Sequence, residues 1–448
     1  PNHTSGALKN FRAAIGIARQ MISLRESLAD ADKGFRDALA CSPEKGRWRE
    51  LCRLETHVLD LLQEWNLRDP VQLQRDRAKS PQLPVGVTRI VVAGVPDPSL
   101  LALETMKAHL AAGVPVTVLV HAPEEQADSF DSWGRPCAKT WSKKHIALPN
   151  WEQSLHVVNS ASEAAQRALG QFSEHETRSD DAALVLCDAS LAPALERAFD
   201  QAGWPLYDPE GKPIADSGIM RLLKCCAELL RDVALFDPAR ELVRIPGAES
   251  FLPKGISRQW AAKLMDDLHH EHLPETLEDA HFLARDEERQ VIEAIVARLE
   301  EVQQGGLVEG VKPWLTAWLR STDKHIARQI EPVLAEVLDA VEQLESAGVA
   351  VSPHEAMEML AVATSGVRIS LESGDEVLDM EGWLEISYDS AAHLVLAGMH
   401  EGCVPDGAVD DVFVPDSLKQ ELGMRDAEGR SARDAFLLCS AIECRKEK

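Results

Sequence analysis

Apolar positions along this chain alternate between two textures. Residues 7–79 carry them at helical spacing, in FRAAIGIARQMISLRESL and RWRELCRLETHVLDLLQEW, which predicts a helical opening segment. RDP at 68–70 ends the second of these helices, because proline disfavours helix in the residue before it. From 85 to 125 the period shortens. VTRIVVAG is a short β-branched run, PSLLALETMKAHLAAG is an amphipathic helix stopped by Gly113, and VPVTVLV is a second strand. Strand–helix–strand order predicts a parallel sheet. A second such block follows. LHVVNSASEAAQRALGQF reads as strand then helix, and DDAALVLCDASLAPALERAFDQAGWPLYD as strand, helix, glycine turn and strand. Residues 216–345 return to helical spacing, clearest in MRLLKCCAELLRDVALF, DEERQVIEAIVARLEEVQ and IEPVLAEVLDAVEQLESAG. Strand texture resumes from 377 with HLVLAGM, and SARDAFLLCSAIECR is the last helix. Two α/β blocks, each with a large helical insertion, are therefore expected.

Composition narrows this picture. The 448 residues suffice for two or three domains of about 150 residues each, and 45% apolar content supplies a sizeable core. No apolar run approaches the roughly 18 residues that suggest a membrane span, so no membrane partner is expected. The nine cysteines have irregular spacing, with no C-x-x-C and no zinc pattern. Cys225 and Cys226 lie in a helical apolar run and read as buried free thiols, which fits a reducing, cytoplasmic setting. A start at Pro1 without a secretory signal, and an end at ECRKEK, lead us to expect an internal segment of a longer protein. The net charge of −26 argues against a simple non-specific DNA binder, which needs a basic surface. Nucleic-acid contact would have to be local, supplied by a partner, or confined to an internal basic channel.

The order of elements and the local sequences resemble the four-part body of a superfamily I helicase of the UvrD type. RIVVAGVPDPSLLALETMKAHL is similar to the family's strand, Asp-Glu-x-Gln-Asp and helix. VTVLVHAPEEQ resembles the next strand, which ends in Gly-Asp-x-x-Gln. The stretch DDAALVLCDASLAPALERAFDQAGWPLY resembles a strand, a helix with a Leu-Glu pair and AGIPY, and LVLAGMHEGCVPD the segment ending in GLxEGxFP. SARDAFLLCSAIECRKEK resembles the last helicase motif. The resemblance covers most of residues 45–448 and implies two RecA-like parallel-sheet domains, each with a mainly helical insertion. It places a helical insertion at 1–84, the remainder of the first RecA-like domain at 85–150 and the first part of the second at 151–215. A second helical insertion then falls at 216–376 and the rest of the second RecA-like domain at 377–448.

At each motif the chemistry is missing. The family's magnesium-holding Asp and water-activating Glu fall on Ala93 and Gly94, its Gln on Pro96, and the following Asp alone matches, as Asp97. The Gly-Asp of the next motif falls on Val120-His121 and its Gln on Glu124. The last motif's arginine falls on Cys444, or on Arg445 if the match slides by one residue. No G-x-x-x-x-G-K-[S/T] phosphate loop occurs. Phosphoryl transfer needs a magnesium bridge, an oriented water and a cation on the γ-phosphate. Alanine and glycine supply neither ligand nor base, so no ATP hydrolysis and no cofactor are expected.

A kept body with lost motifs resembles the AddB/RecC side of the bacterial recombination nucleases, the inactivated superfamily I helicases. GWLEISYDSAAHLVLAGMHEGCVPDGAVDD is closer to AddB-type sequences than to active helicases. The resemblance implies DNA, single-stranded or 3′-tailed, and an AddA-like helicase-nuclease subunit as partners. A PD-(D/E)xK nuclease, if this protein has one, would lie beyond Lys448. A purely protein-interacting subunit is the alternative that the charge favours.

Several clusters allow two readings. The loop with Trp133, Lys139, Trp141, Lys143, Lys144 and Trp151 offers aromatic faces for bases and cations for phosphates, but tryptophans more often pack under a loop. Arg425, Arg430 and Arg433 face DNA or a nucleotide-like cleft, or are surface arginines at a helix start. HHEH at 269–272 reads as a solvated helix face and not a metal site, for want of a third ligand. His400, Glu401, Cys403 and Asp406 in GMHEGCVPD read as a glycine-punctuated turn rather than a Cys-His nucleophile. The acids of ESGDEVLDMEGWLE at 372–385 read as a solvated run, not a two-carboxylate metal centre. No metal site is predicted.

Overall fold

The computed structural model describes residues 11–148, 150–174, 181–214, 217–321, 324–346, 352–364, 366–370, 377–389, 391–405 and 413–445. The chain divides into two compact units, one of residues 1–17 with 208–373, the other of residues 18–207 with 374–448. The sequence pattern places the corresponding changes at 215/216 and 376/377. The described residues contain eight strands: β1 (Ile90–Ala93), β2 (Val116–Leu119), β3 (Ala182–Leu186), β4 (Leu206–Tyr207), β5 (Lys212–Pro213), β6 (Arg368–Ile369), β7 (Leu378–Gly382) and β8 (His393–Ala397).

The unit of residues 18–207 and 374–448 is built on a four-stranded sheet of order β4-β7-β3-β8, parallel throughout. β3 lies inside it, with Leu184 opposite both Met380 and Val395. Its sequence AALVL is buried on both faces, which is why it is a continuous apolar run instead of an alternating one. On one face Leu184, Met380 and Ala397 pack with Phe172, Leu195 and Phe199 of the helices Ala161–Glu174 and Ala192–Gln201. On the other, Val185 joins Trp383, Ile386, Phe436 and Leu437, the last two from the C-terminal helix Ala427–Glu443. Helices thus cover both faces, as a parallel sheet requires.

β1 and β2 form a separate parallel pair, Ile90 opposite Val116 and Ala93 opposite Leu119. The helix Leu100–Ala111 connects them, capped by Ser99, whose hydroxyl accepts from the Ala102 N–H at 3.2 Å. The helices Phe35–Cys41 and Lys45–Glu64 and the C-terminal half of the helix Phe11–Asp30 meet the segment 413–424 around Trp48, Phe35 and Leu28.

Seven helices dominate the described part of the other unit, at 218–229, 236–242, 258–272, 277–283, 286–321, 324–346 and 353–364, beside the antiparallel pair β5–β6. Its core runs through Leu222, Phe236, Phe251, Met265, Ile292 and Leu360. Cys225 and Cys226 are buried free thiols there, and burial pushes Cys225 up to about 12.

The chain is therefore a mainly helical α/β protein with one four-stranded parallel sheet. The first α/β block contributes a strand pair among the described residues rather than a second full sheet. β1 pairs on one side, with β2, and Val91 is 51% exposed, so this β-branched run is an edge strand. The strand expected at LHVV is unpaired chain at 155–158. The strand at 378–382 runs against the sequence pattern, which reads this acidic stretch as solvated. It lies between β4 and β3, inside the sheet.

Candidate functional site

The end of β1 is occupied by the protein itself. Gly94 takes φ +62° and donates its N–H to the Leu119 carbonyl at 2.8 Å. A Cβ built on Gly94 would collide with the Tyr388 ring and hydroxyl. Tyr388 thus fills the place where the resemblance puts the water-activating acid. What is left is a pocket of about 10 Å³ among Pro96, Leu119, His121, Tyr388 and Phe436, at the lower limit of the roughly 10–15 Å³ that a single water needs. His121 Nδ1 lies 3.1 Å from the Ser387 carbonyl oxygen, and Nε2 lies 3.6 Å from Cys444 Sγ. Two positions assigned to different motifs are in contact across 323 residues of sequence.

Asp97 begins a chain of alternating charges. It is ion-paired with Arg425 and lies 3.3 Å from Arg433 Nη1. Arg425 Nη2 also donates to the Asp97 carbonyl at 3.2 Å. Arg433 Nε donates in turn to Asp434 Oδ1 at 2.8 Å, which accepts from Trp383 Nε1–H at 3.0 Å as well. Arg433 keeps 12% of its side chain exposed and Asp434 3%. Asp426 starts the helix by accepting from the Gly429 N–H at 2.8 Å, which aims Arg430 and Arg433 from its first two turns. Arg430 Nη2 lies 3.8 Å from Asp416 Oδ1. Burial, then Arg433 and Arg430, push the Arg425 guanidinium down to about 10, still a cation at neutral pH. Direct contact with Asp97 favours its charged form. A cleft of about 480 Å³ opens here, lined by Asp30, Asp97, Arg135, Lys419, Arg425 and Arg433 among others. The structure brings Arg425, Arg430 and Arg433 together, and each has an acidic partner.

A third cluster joins the end of β7 to the end of the C-terminal helix. Arg445, the alternative position for the last motif's arginine, donates Nε to the Ala391 carbonyl at 2.9 Å and Nη2 to Asp389 Oδ1 at 3.1 Å. Burial of Glu381, then its hydrogen bond and charge interaction with Asp389, push the Glu381 carboxyl up to about 8. The folded state therefore holds an extra proton between about 4.5 and 8. Its stability contribution is full below 4.5 and is lost as pH rises through 8. Glu381→Gln should be more stable than wild type at pH 9 by about 1–2 kcal/mol, a figure reduced because the site is half-exposed, and nearly equal at pH 5. Urea midpoints at the two pH values measure this, and an unchanged difference between them would refute it.

The tryptophan–lysine loop separates into packed and exposed parts. Trp141 is 2% exposed and donates Nε1–H to the Ser129 carbonyl at 3.0 Å. Its ring packs edge-on against Phe130 and Phe436, and Lys144 Nζ sits 4.0 Å from the ring centroid. Lys144 also donates to Gln126 Oε1 at 2.7 Å. Trp141 is therefore a core residue with its ring buried. Lys139 and Lys143 are exposed, as is Trp151. In HHEH, His269 packs near Phe236, and no group of three metal-ligating side chains gathers there among the described residues. The segment 398–405 is a turn with Gly398 and Gly402 at positive φ, while Asp406 lies outside the described residues. Sequence reasoning missed Tyr388 and Glu381, whose roles arise from what they touch. No helix among the described residues is long and apolar enough to cross a membrane. No protein-family model matches the chain, and no curated protein matches it in sequence.

Proposed function

We propose that this chain is a non-catalytic, helicase-like scaffold of a DNA recombination or repair complex, holding DNA and a motor partner without hydrolysing ATP. The observation that carries the reading is the end of β1, where Tyr388 covers Gly94 and leaves about 10 Å³. The acid that the motif retains, Asp97, is engaged by Arg425 and Arg433. At Ala93 and Gly94 a magnesium bridge and an oriented water find no ligand or base, and the Tyr388 ring covers Gly94. The pairing of His121 with Cys444 and of Asp97 with Arg433 supports a helicase-like body, since these positions come from three separate motifs. Within this proposal the four-stranded parallel sheet is the second RecA-like domain, the β1–β2 unit belongs to the first, and the helical unit of residues 208–373 is an insertion.

DNA contact would fall to exposed cations such as Lys139 and Lys143, because the three arginines are held by acids. A purely protein-interacting subunit is the second reading, favoured by that pairing and by the −26 charge. The purified chain should show no magnesium-dependent ATP turnover above the buffer blank, and measurable turnover would sink the scaffold reading. Mobility shift with 3′-tailed DNA at two salt concentrations separates the two readings. Binding that weakens steeply with salt supports phosphate contact, and no shift at low salt leaves the protein-interaction reading.

A further inference from the structure

At the carboxyl ends of the neighbouring parallel strands β3 and β8, three side chains of different chemistry converge. Asp188 follows β3, and His400 and Cys403 lie in the turn after β8. One carboxylate oxygen, one imidazole nitrogen and the thiol sulfur all lie within 4.8 Å of one another. Crevices outside the carboxyl ends of parallel strands are where α/β sheets place ligands.

The backbone fixes each donor. The Cys187 N–H donates to the Ala397 carbonyl at 2.9 Å, extending the β3–β8 ladder to the residue before Asp188. Asp188 Oδ1 accepts from the Ser190 N–H at 2.9 Å, while Oδ2 faces His400 Nε2 at 3.5 Å. His400 Nδ1 is 3.0 Å from the Glu401 carbonyl oxygen, an acceptor that requires the proton on Nδ1, so the neutral imidazole directs its Nε2 lone pair at the cluster. Such a carbonyl partner is how ligating histidines are oriented. The N–H groups of Cys403 and Val404 both donate to the His400 carbonyl at 3.0 Å, which holds Cys403 beside His400. Gly398 takes φ +79°, and a Cβ there would stand 2.5 Å from Asp188 Cβ, so glycine is needed for the turn to come this close.

We propose that Asp188, His400 and Cys403 bind a zinc-class divalent ion, with a solvent molecule completing the coordination. A tetrahedral site with bonds of about 2.0–2.3 Å separates its ligand atoms by roughly 3.3–3.8 Å, so closing this cluster takes shifts of about 1 Å. A mixed nitrogen, sulfur and oxygen set selects zinc or cobalt over magnesium and calcium, which take oxygen. Three protein ligands with His400 58% exposed leave the fourth position open to water. The inference does not depend on the scaffold reading.

The test is competition between the chelator-stripped full chain and a chromogenic zinc chelator, with cobalt as a spectroscopic stand-in. Wild type should take up one zinc that His400→Ala and Cys403→Ser each weaken by at least about tenfold. Cobalt should give a thiolate charge-transfer band that Cys403→Ser abolishes. Cys444→Ser, which removes the other thiol–imidazole contact, should change neither. Absence of zinc uptake by wild type, or equal affinity in wild type and His400→Ala, overturns the proposal. Loss of the site in Cys444→Ser does so too. His400 is exposed, so its variant decides the matter even if Cys403→Ser does not fold.

Discussion

Arg433→Ala should lower the unfolding free energy by about 3–5 kcal/mol, the cost of leaving a buried charge without its partner. Arg433 is the middle link between Asp97 and Asp434. Asp97 would keep Arg425, so its loss is partial. Asp434 has no such reserve. It is 3% exposed, its Oδ1 would retain the Trp383 indole alone, and its Oδ2 has no hydrogen-bond partner among the described residues. A carboxylate in that position must either stay charged with one neutral donor or take up a proton, and both are costly. Adding Asp434→Asn removes the stranded charge, so the double variant should recover a large part of the loss. That non-additivity is the signature of a direct partner, as opposed to a general packing defect. Urea unfolding of the wild type, both single variants and the double variant gives the cycle. A loss under about 1 kcal/mol for Arg433→Ala, or full additivity, would show that the chain of charges does not hold the C-terminal helix against the β1 loop.

Helices were legible because their spacing is local, and β3 because a short, unbroken apolar run suits a strand buried on both faces. β7 was hidden by its own composition. Leu378 and Met380 are buried at alternate positions, but Asp379 and Glu381 stand between and beside them, within a longer acidic stretch. A half-buried carboxyl inside a parallel sheet runs against the usual solvated reading, and the upward shift of Glu381 is the physical trace of that conflict. LHVV failed the other way. Its β-branched texture is sound, but a strand exists through pairing with a partner far along the chain, and residues 155–158 have none.

The site divides along the same line. Aligned motif positions were enough to single out Asp97, His121 and Cys444, and nearness to the last motif the three arginines, because both depend on order along the chain. What those residues do depends on neighbours from other segments. Nothing in RIVVAGVPDPSL announces that Tyr388 will lie on Gly94, nor that Asp97 is held by two arginines of the C-terminal segment. His400 and Cys403 look like part of a glycine turn until Asp188 arrives from the adjacent strand.

Trp141→Ala should cost about 3–5 kcal/mol, the usual range for emptying a buried aromatic position. The indole packs edge-on against both Phe130 and Phe436, which also touch each other with centroids 5.0 Å apart, and its Nε1–H donates to the Ser129 carbonyl. Removing it opens a cavity under the loop, takes away the ring beneath the Lys144 ammonium, and leaves Ser129 without that donor. Lys139→Ala and Lys143→Ala, at exposed positions, should stay within about 0.5 kcal/mol of wild type. The same residues separate packing from nucleic-acid contact. Trp141→Phe keeps most of the ring and removes the hydrogen bond, so its stability loss should be about 1–2 kcal/mol. If Trp141 only packs, that variant binds tailed DNA as wild type does, whereas Lys139→Glu with Lys143→Glu weakens binding and flattens its salt dependence. A base-stacking role would reverse the pattern. Trp141→Phe would then weaken DNA binding with little change in the urea midpoint, and the buried assignment of this ring would be wrong.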